Sequence, residues 1–413
     1  MFAKKYCSFL LYYYFPVVYL FFFFNTIGVP LGIVDGMVKL LIPILLYILT
    51  LRTTTNKFSS SVFYVFLLFN LSTVVNYLGN SDFSLFQNDL IQYVIPMLFW
   101  PIALSKNISS NKFYDNVLKY GTIALVIGLF LYFSMPSWYQ NHLMDLRESQ
   151  GKEVNYGMSD FEIITLFSRI IGIFHNTYGC VYTAVFILSI SVGKLIKGDV
   201  SNSKLPLLGL ITAVLCILTS GCRGPMLSCF AILGILTIIL LRKKTFNLII
   251  FGGLLCVVGY LVADILIFRS KDSLVRLLEL SSAIGMREDQ WQRVFLHFDS
   301  FVFGDGLGAY GHLAFYKTGL AITDNNWIKI FAETGVVGLT FFSFIYIFSL
   351  IKGFKDIGRY VTELCVLLSY GIIMIGANPL SFQFFFAIPF WFCVGSIYKK
   401  SYNAKNSSYD VYL

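Results

Sequence analysis

Arg223 stands in Thr219-Ser-Gly-Cys-Arg-Gly-Pro225, where Gly224 and Pro225 suit a tight turn that enters a helix. A helix start leaves backbone N–H groups unpaired, and an adjacent arginine makes such a turn a ready anion site. The bland reading is a capping turn with a snorkelling side chain. Arg169 opens Arg169-Ile-Ile-Gly-Ile-Phe-His-Asn176, which places His175 and Asn176 about two turns into an expected span. Polar groups at that depth usually face a cavity or the helix-bundle interior, so His175 is either a proton carrier or a structural histidine. Gly285 to Arg293 carries Arg287 and Arg293 six residues apart beside Trp291. Arginine forks bind phosphate or carboxylate bidentately and stay charged at any working pH. Asp324, with Asn325, precedes another apolar run and offers a carboxylate that can accept a proton or simply cap a helix.

The glycines at 306, 308 and 311 match GxGxxG, the spacing of a dinucleotide-binding turn. That reading needs a preceding strand and a βαβ unit, and neither is evident. Glycines here are expected to permit close approach of backbone to another segment or to a sugar phosphate. His312 follows them and is a second-choice proton acceptor. Lys329 and Glu333, spaced i and i+4, are expected to neutralise one another. Gly335 and Gly338 are expected to allow close helix packing.

The elements that position these residues are apolar helices. The chain has 413 residues, 57% hydrophobic, 18% aromatic and 13% charged, about half the charged share of a soluble domain. Stretches such as Phe246 to Phe268 are long enough to cross ~30 Å of hydrocarbon. The expected fold is all-α, a polytopic integral membrane protein with about 12 transmembrane helices. They run over 8–27, 31–51, 60–79, 89–105, 117–136, 170–193, 204–220, 225–241, 246–267, 327–351, 361–380 and 382–398. Residues 1–413 read as one membrane domain, with larger external loops at 137–168 and 269–326 and a polar tail at 399–413. A helix-like stretch, Leu274 to Ile284, is expected to lie along the membrane surface. The N-terminal run reads as an uncleaved first span. Eight cysteines without a CxxC pair, mostly inside spans, point away from a disulfide framework or a zinc site.

The net charge of +9 is explained by topology rather than by nucleic acid. With the N-terminus in the cytoplasm, 19 of the 31 basic residues and five of the 22 acids fall on that side. Both termini are therefore expected to be cytoplasmic. The residue type sorts as well. Cytoplasmic bases are nearly all lysine, whereas the other side holds Arg147, Arg169, Arg223, Arg269, Arg276, Arg287 and Arg293. Topology needs only charge, so arginines on the disfavoured side suggest an anionic ligand there, with local acids or lipid headgroups as the alternative partners.

Together these residues resemble the O-antigen polymerase and O-antigen ligase superfamily of bacterial envelope glycosyltransferases. The ligase branch carries His-Asn, a nine-residue spacer and Gly-x-x-Gly; Asp324-Asn325 and Gly335-Val-Val-Gly338 keep the spacing with Asp in place of His. Arg223-Gly224, the stretch Arg169 to Phe174, and Gly304 to Gly308 are similar to the family's other motifs. The resemblance implies a GT-C-like membrane glycosyltransferase architecture in the bacterial inner membrane and a reaction on undecaprenyl-pyrophosphate-linked oligosaccharide. It implies no cofactor and no metal; membrane lipids and a chain-length regulator protein are the implied partners. The missing His favours polymerase over ligase chemistry. Asp324, Arg287 and Arg223 are the catalytic candidates, and Arg169, Arg293, Asn325, His175, His312 and Trp291 the substrate-binding candidates. A lipid-linked oligosaccharide flippase is the non-enzymatic alternative, although the chain lacks the internal repeat that alternating access usually shows.

Overall fold

The computed structural model describes residues 2–29, 31–73, 83–149, 169–174, 176–197, 204–241, 280–322, 324–381 and 384–407. These residues form helices and no named strand. In chain order the helices are α1 (Phe2–Thr26), α2 (Gly32–Thr50), α3 (Lys57–Ser72), α4 (Phe83–Asp89), α5 (Phe99–Leu104), α6 (Ser110–Ser134), α7 (Ser137–Ser149) and α8 (Thr177–Lys197). They continue as α9 (Lys204–Thr219), α10 (Arg223–Leu241), α11 (Leu280–Leu296), α12 (His312–Thr318), α13 (Asn326–Lys355), α14 (Ile357–Ile373) and α15 (Phe384–Ser407). Five are long and apolar enough to cross a membrane, namely α1, α2, α6, α8 and α13; α9, α10 and α15 contain shorter apolar helices. The architecture is that of a polytopic membrane protein. The expected span at 246–267 and the start of the surface stretch at 274–279 lie outside the described residues. So do residues 150–168 of the first external loop.

The described chain divides into two compact units. The first comprises residues 1–11, 39–111 and 280–413. Its core is aromatic: Trp391 of α15 stacks on Trp100 of α5 at 6.1 Å and meets Phe66 of α3 and Phe342 of α13. Such rings bury large apolar area, while the Trp100 indole donates to Ser59 at 2.9 Å. Hydroxyls elsewhere in these apolar helices turn back onto the carbonyl one turn earlier, as at Ser349 and Ser369, which satisfies them without water.

The second unit comprises residues 12–38 and 112–279. Here α8, α9 and α10 pack on one another, and a side chain added at Gly209 of α9 would meet Ser191 and Leu118 at 2.8 Å. A small residue at that crossing lets the backbones approach. The sequence expectation that Arg169 opens this unit's span is corrected. Helix α8 begins only at Thr177, because Gly172 turns left-handed (φ 60°) and the Asn176 side chain caps the helix by accepting from the Gly179 N–H at 2.7 Å. Asn176 is thus a cap at the helix start, not a polar group two turns deep; His175 lies outside the described residues.

Candidate functional site

In the first unit, the site is organised around a break in α13. Gly335 has φ 67° and ψ −170°, a conformation essentially reserved for glycine, so the helix is two helices in line. A break exposes carbonyls at the end of the first half and N–H groups at the start of the second. The segment between α11 and α12 satisfies both sets. Asp305 and Gly306 donate to the carbonyls of Ala332 and Glu333 at 3.0 and 2.9 Å. The carbonyls of Phe301 and Val302 accept from Val336 and Val337 at 3.1 and 3.3 Å. Gly335 lies so close to the Val302 carbonyl, and Gly304 to the Glu333 carbonyl, that a Cβ at either would collide with backbone. The expectation of close helix packing therefore holds for Gly338, which faces Phe69 of α3, and is corrected for Gly335, which receives a loop instead.

Asp305 shapes that loop. One of its oxygens accepts from the N–H groups of Asp299 and Ser300 at 3.0 and 3.1 Å, and the other accepts from the Tyr310 hydroxyl. Burial and the neighbouring Asp305 carboxylate hold the Tyr310 hydroxyl well above its ordinary range, so it remains a donor. The remaining glycines seat the loop on α4. Gly308 touches the Leu85 carbonyl, and a Cβ at Gly311 would lie 3.0 Å from an Asp89 carboxylate oxygen. This is the close backbone approach expected of the GxGxxG run.

Beneath the loop lies a buried cluster of charges. Lys329, 3% exposed, pairs with Asp89 of α4, 1% exposed, and its ammonium is 3.5 Å from Glu333. Glu333 also accepts from the Tyr310 N–H at 3.1 Å. The expected Lys329–Glu333 pair is present, and Asp89 completes a triad that sequence reasoning missed. Asp89 ends α4 where the chain enters a π-helical turn, Leu90–Val94, a local geometry often found at functional sites. The signal was available: an acid at the edge of the apolar run 89–105 is costly there unless paired.

Just ahead of the triad is the start of α13. Asn325 takes the cap, accepting from the Ile328 N–H at 3.0 Å, so Asp324 is not the capping residue. The Asn326 N–H donates to the Met374 carbonyl at 2.9 Å, its side-chain oxygen accepts from Leu380, and Asn378 reaches the Ile322 carbonyl. These bonds fix the start of α13 against the turn after α14. Asp324 is half-buried there. Trp291 packs against the cluster of Val294, Tyr310, Ile322 and Ala332 on one side of this platform, with its indole N–H buried and unpartnered. Arg293 is exposed on α11 and His312 is exposed at the start of α12, edge-on to Tyr316 at 5.8 Å. Arg287 lies on α11, and its side chain is outside the description.

In the second unit, Arg169 and Arg223 come to the same turn. The N–H of Ile170 donates to the Thr219 carbonyl at 3.3 Å, which ties the Arg169 strand of chain to the end of α9. Gly221 turns left-handed (φ 62°), and α10 begins at Arg223. Cys222 between them feels both influences: burial raises its thiol and the Arg169 guanidinium pulls it back. Two half-buried guanidiniums at the start of a 19-residue helix are suited to a phosphate or carboxylate. A carboxylate at the start of α13 is suited to orient a hydroxyl or take its proton.

No curated protein matches the chain. Enzymes of the family that does match are glycosyltransferase-like membrane proteins, polymerases or ligases. The matched segment contains Arg223, Arg287, Arg293, Asp324, Asn325 and the Gly335 break, while Arg169 and Asp89 precede it. Residues 208–343 match the family model described as O-antigen ligase, and that match is consistent with the O-antigen polymerase and O-antigen ligase superfamily.

Proposed function

We propose that the protein is an O-antigen polymerase. It takes two undecaprenyl-pyrophosphate-linked oligosaccharides at the periplasmic face of the bacterial inner membrane, with both termini in the cytoplasm. The acceptor hydroxyl oxygen attacks the anomeric carbon of the growing chain, the bond to pyrophosphate breaks, and the proton passes to Asp324. Arg169, Arg223, Arg287 and Arg293 are the candidates to neutralise the charge that develops on the leaving pyrophosphate, a contribution worth most where water is excluded. Asn325, His312, His175 and Trp291 are assigned to holding the saccharide. Neither a nucleotide sugar nor a metal enters this scheme.

The observation that carries this reading is Asp324 itself. It keeps the position of the ligase-branch His, and it is released from the capping role by Asn325. The family description, O-antigen ligase, favours the second reading, transfer of finished chains to lipid A core. Deleting the gene separates them. A polymerase deletion leaves glycolipid capped by a single repeat unit, whereas loss of every attached repeat would point to the ligase or to a flippase.

A further inference from the structure

We propose that residues 298–306 form a re-entrant loop whose tip, Phe301-Val302-Phe303, enters the hydrocarbon of the bilayer and faces lipid chains. The sequence places this stretch in the middle of an external loop. Its depth follows from what it is bonded to. Four backbone hydrogen bonds tie it to α13 on both sides of Gly335, so the tip and the break lie at one level. From Gly335 to Ile351 the helix is apolar, and Lys352 follows. At 1.5 Å per residue that run measures about 25 Å, less than the ~30 Å thickness of the hydrocarbon. The break therefore sits inside the membrane edge on the Asn326 side.

The loop has the properties such a position demands. Phe301, Val302 and Phe303 are 65%, 50% and 57% exposed, three consecutive large apolar side chains with little protein over them. In water that would be an unfavourable patch; against lipid it is matched. Irregular backbone at membrane depth is tolerated only where protein supplies its hydrogen bonds, and here the broken helix supplies them. Gly304 adds a turn bond to the Ser300 carbonyl at 2.8 Å. Of the loop's two acids, Asp305 is turned back onto the loop, accepting from the N–H groups of Asp299 and Ser300 and from the Tyr310 hydroxyl, and Asp299 is exposed at the loop's start, ahead of the tip. Phe301 also rests edge-on against Phe331 of α13 at 5.4 Å, which fixes the tip to the helix rather than leaving it to swing.

The test is nitroxide accessibility on the full chain in phosphatidylcholine–phosphatidylglycerol vesicles, with the label at Val302→Cys and, independently, at Phe303→Cys. Phe344→Cys, on the exposed face of α13, is the lipid reference, and Glu288→Cys, exposed on α11, the water reference. The cysteines in the described residues are buried, and signal from the unsubstituted chain is subtracted as background. Labels at 302 and 303 are expected to be relaxed by oxygen more than Glu288→Cys though less than the deeper Phe344→Cys, and to respond several-fold less than Glu288→Cys to a water-soluble nickel chelate. Nickel relaxation equal to that at Glu288→Cys overturns the proposal. Shielding from both reagents also overturns it, because it means that protein, not lipid, covers the tip.

Discussion

Lys329 and Asp89 stand 240 positions apart in the chain and meet as a buried ion pair, with Glu333 closing the group from one turn along α13. Two carboxylates around one ammonium hold α4, the start of α13 and, through the Tyr310 N–H, the glycine-rich loop in one arrangement. Removing one partner of a buried pair leaves an uncompensated charge, which costs about 3–5 kcal/mol. Lys329→Met is therefore expected to lower the unfolding midpoint in detergent sharply, and combining it with Asp89→Asn and Glu333→Gln to restore most of the loss. A single Lys329→Met variant as stable as the parent would show that the triad is not a lock.

Gly335→Ala is expected to be the most damaging small substitution in α13. The new methyl needs a left-handed backbone that only glycine adopts readily, at about 1–3 kcal/mol, and it also meets the Val302 carbonyl. The relief available is to straighten the helix and expel the loop. Protease cleavage between residues 298 and 306 should then rise while the helices around Trp391 stay protected.

Asp324 and Asn325 are expected to separate by readout. Asn325→Ala removes a cap and should cost about 1 kcal/mol of stability. Asp324→Asn should still insert and accumulate and should abolish chain extension, because an amide does not accept the proton. Full extension by Asp324→Asn would make Asp324 a structural residue.

Arg223→Ala and Arg287→Ala are expected to insert and accumulate normally and to lose chain extension, by two orders of magnitude or more if each guanidinium stabilises developing pyrophosphate charge. Arg169→Ala, at the turn shared with Arg223, should give the same defect. Lysine in place of Arg223 should recover only part of the activity, since it contributes charge without the planar fork. Normal polymer length in both alanine variants contradicts the clamp.

Much of this could be read from the residues in order, and what could not has a physical reason. The helices α1, α2, α6, α9 and α10 follow apolar runs, and Pro225 marks the first turn of α10, although the turn ahead of it is made at Gly221 and not at Gly224, because hydropathy and helix-start chemistry are local. The Lys329–Glu333 pair is local as well. Asp89 was lost because its partner is 240 residues distant, and pattern reasoning sees only neighbours. The start of α8 was misplaced for the opposite reason: Arg169-Ile-Ile-Gly-Ile-Phe is apolar enough to pass for helix, while Gly172 and Asn176 hold it off until Thr177. Gly335 looked like a packing glycine, since the loop that occupies its open face comes from the other end of a long apolar and polar stretch. Residue spacing places groups along a helix; it does not say which distant backbone fills a gap.

The most direct measurement is extension of a purified lipid-linked repeat unit by the purified protein in detergent or vesicles, with neither nucleotide sugar nor metal added. The account predicts a ladder of lipid-linked saccharides that lengthens by one repeat at a time and releases undecaprenyl pyrophosphate. Substrate that stays one repeat long, while repeats pass to added lipid A core, would contradict it.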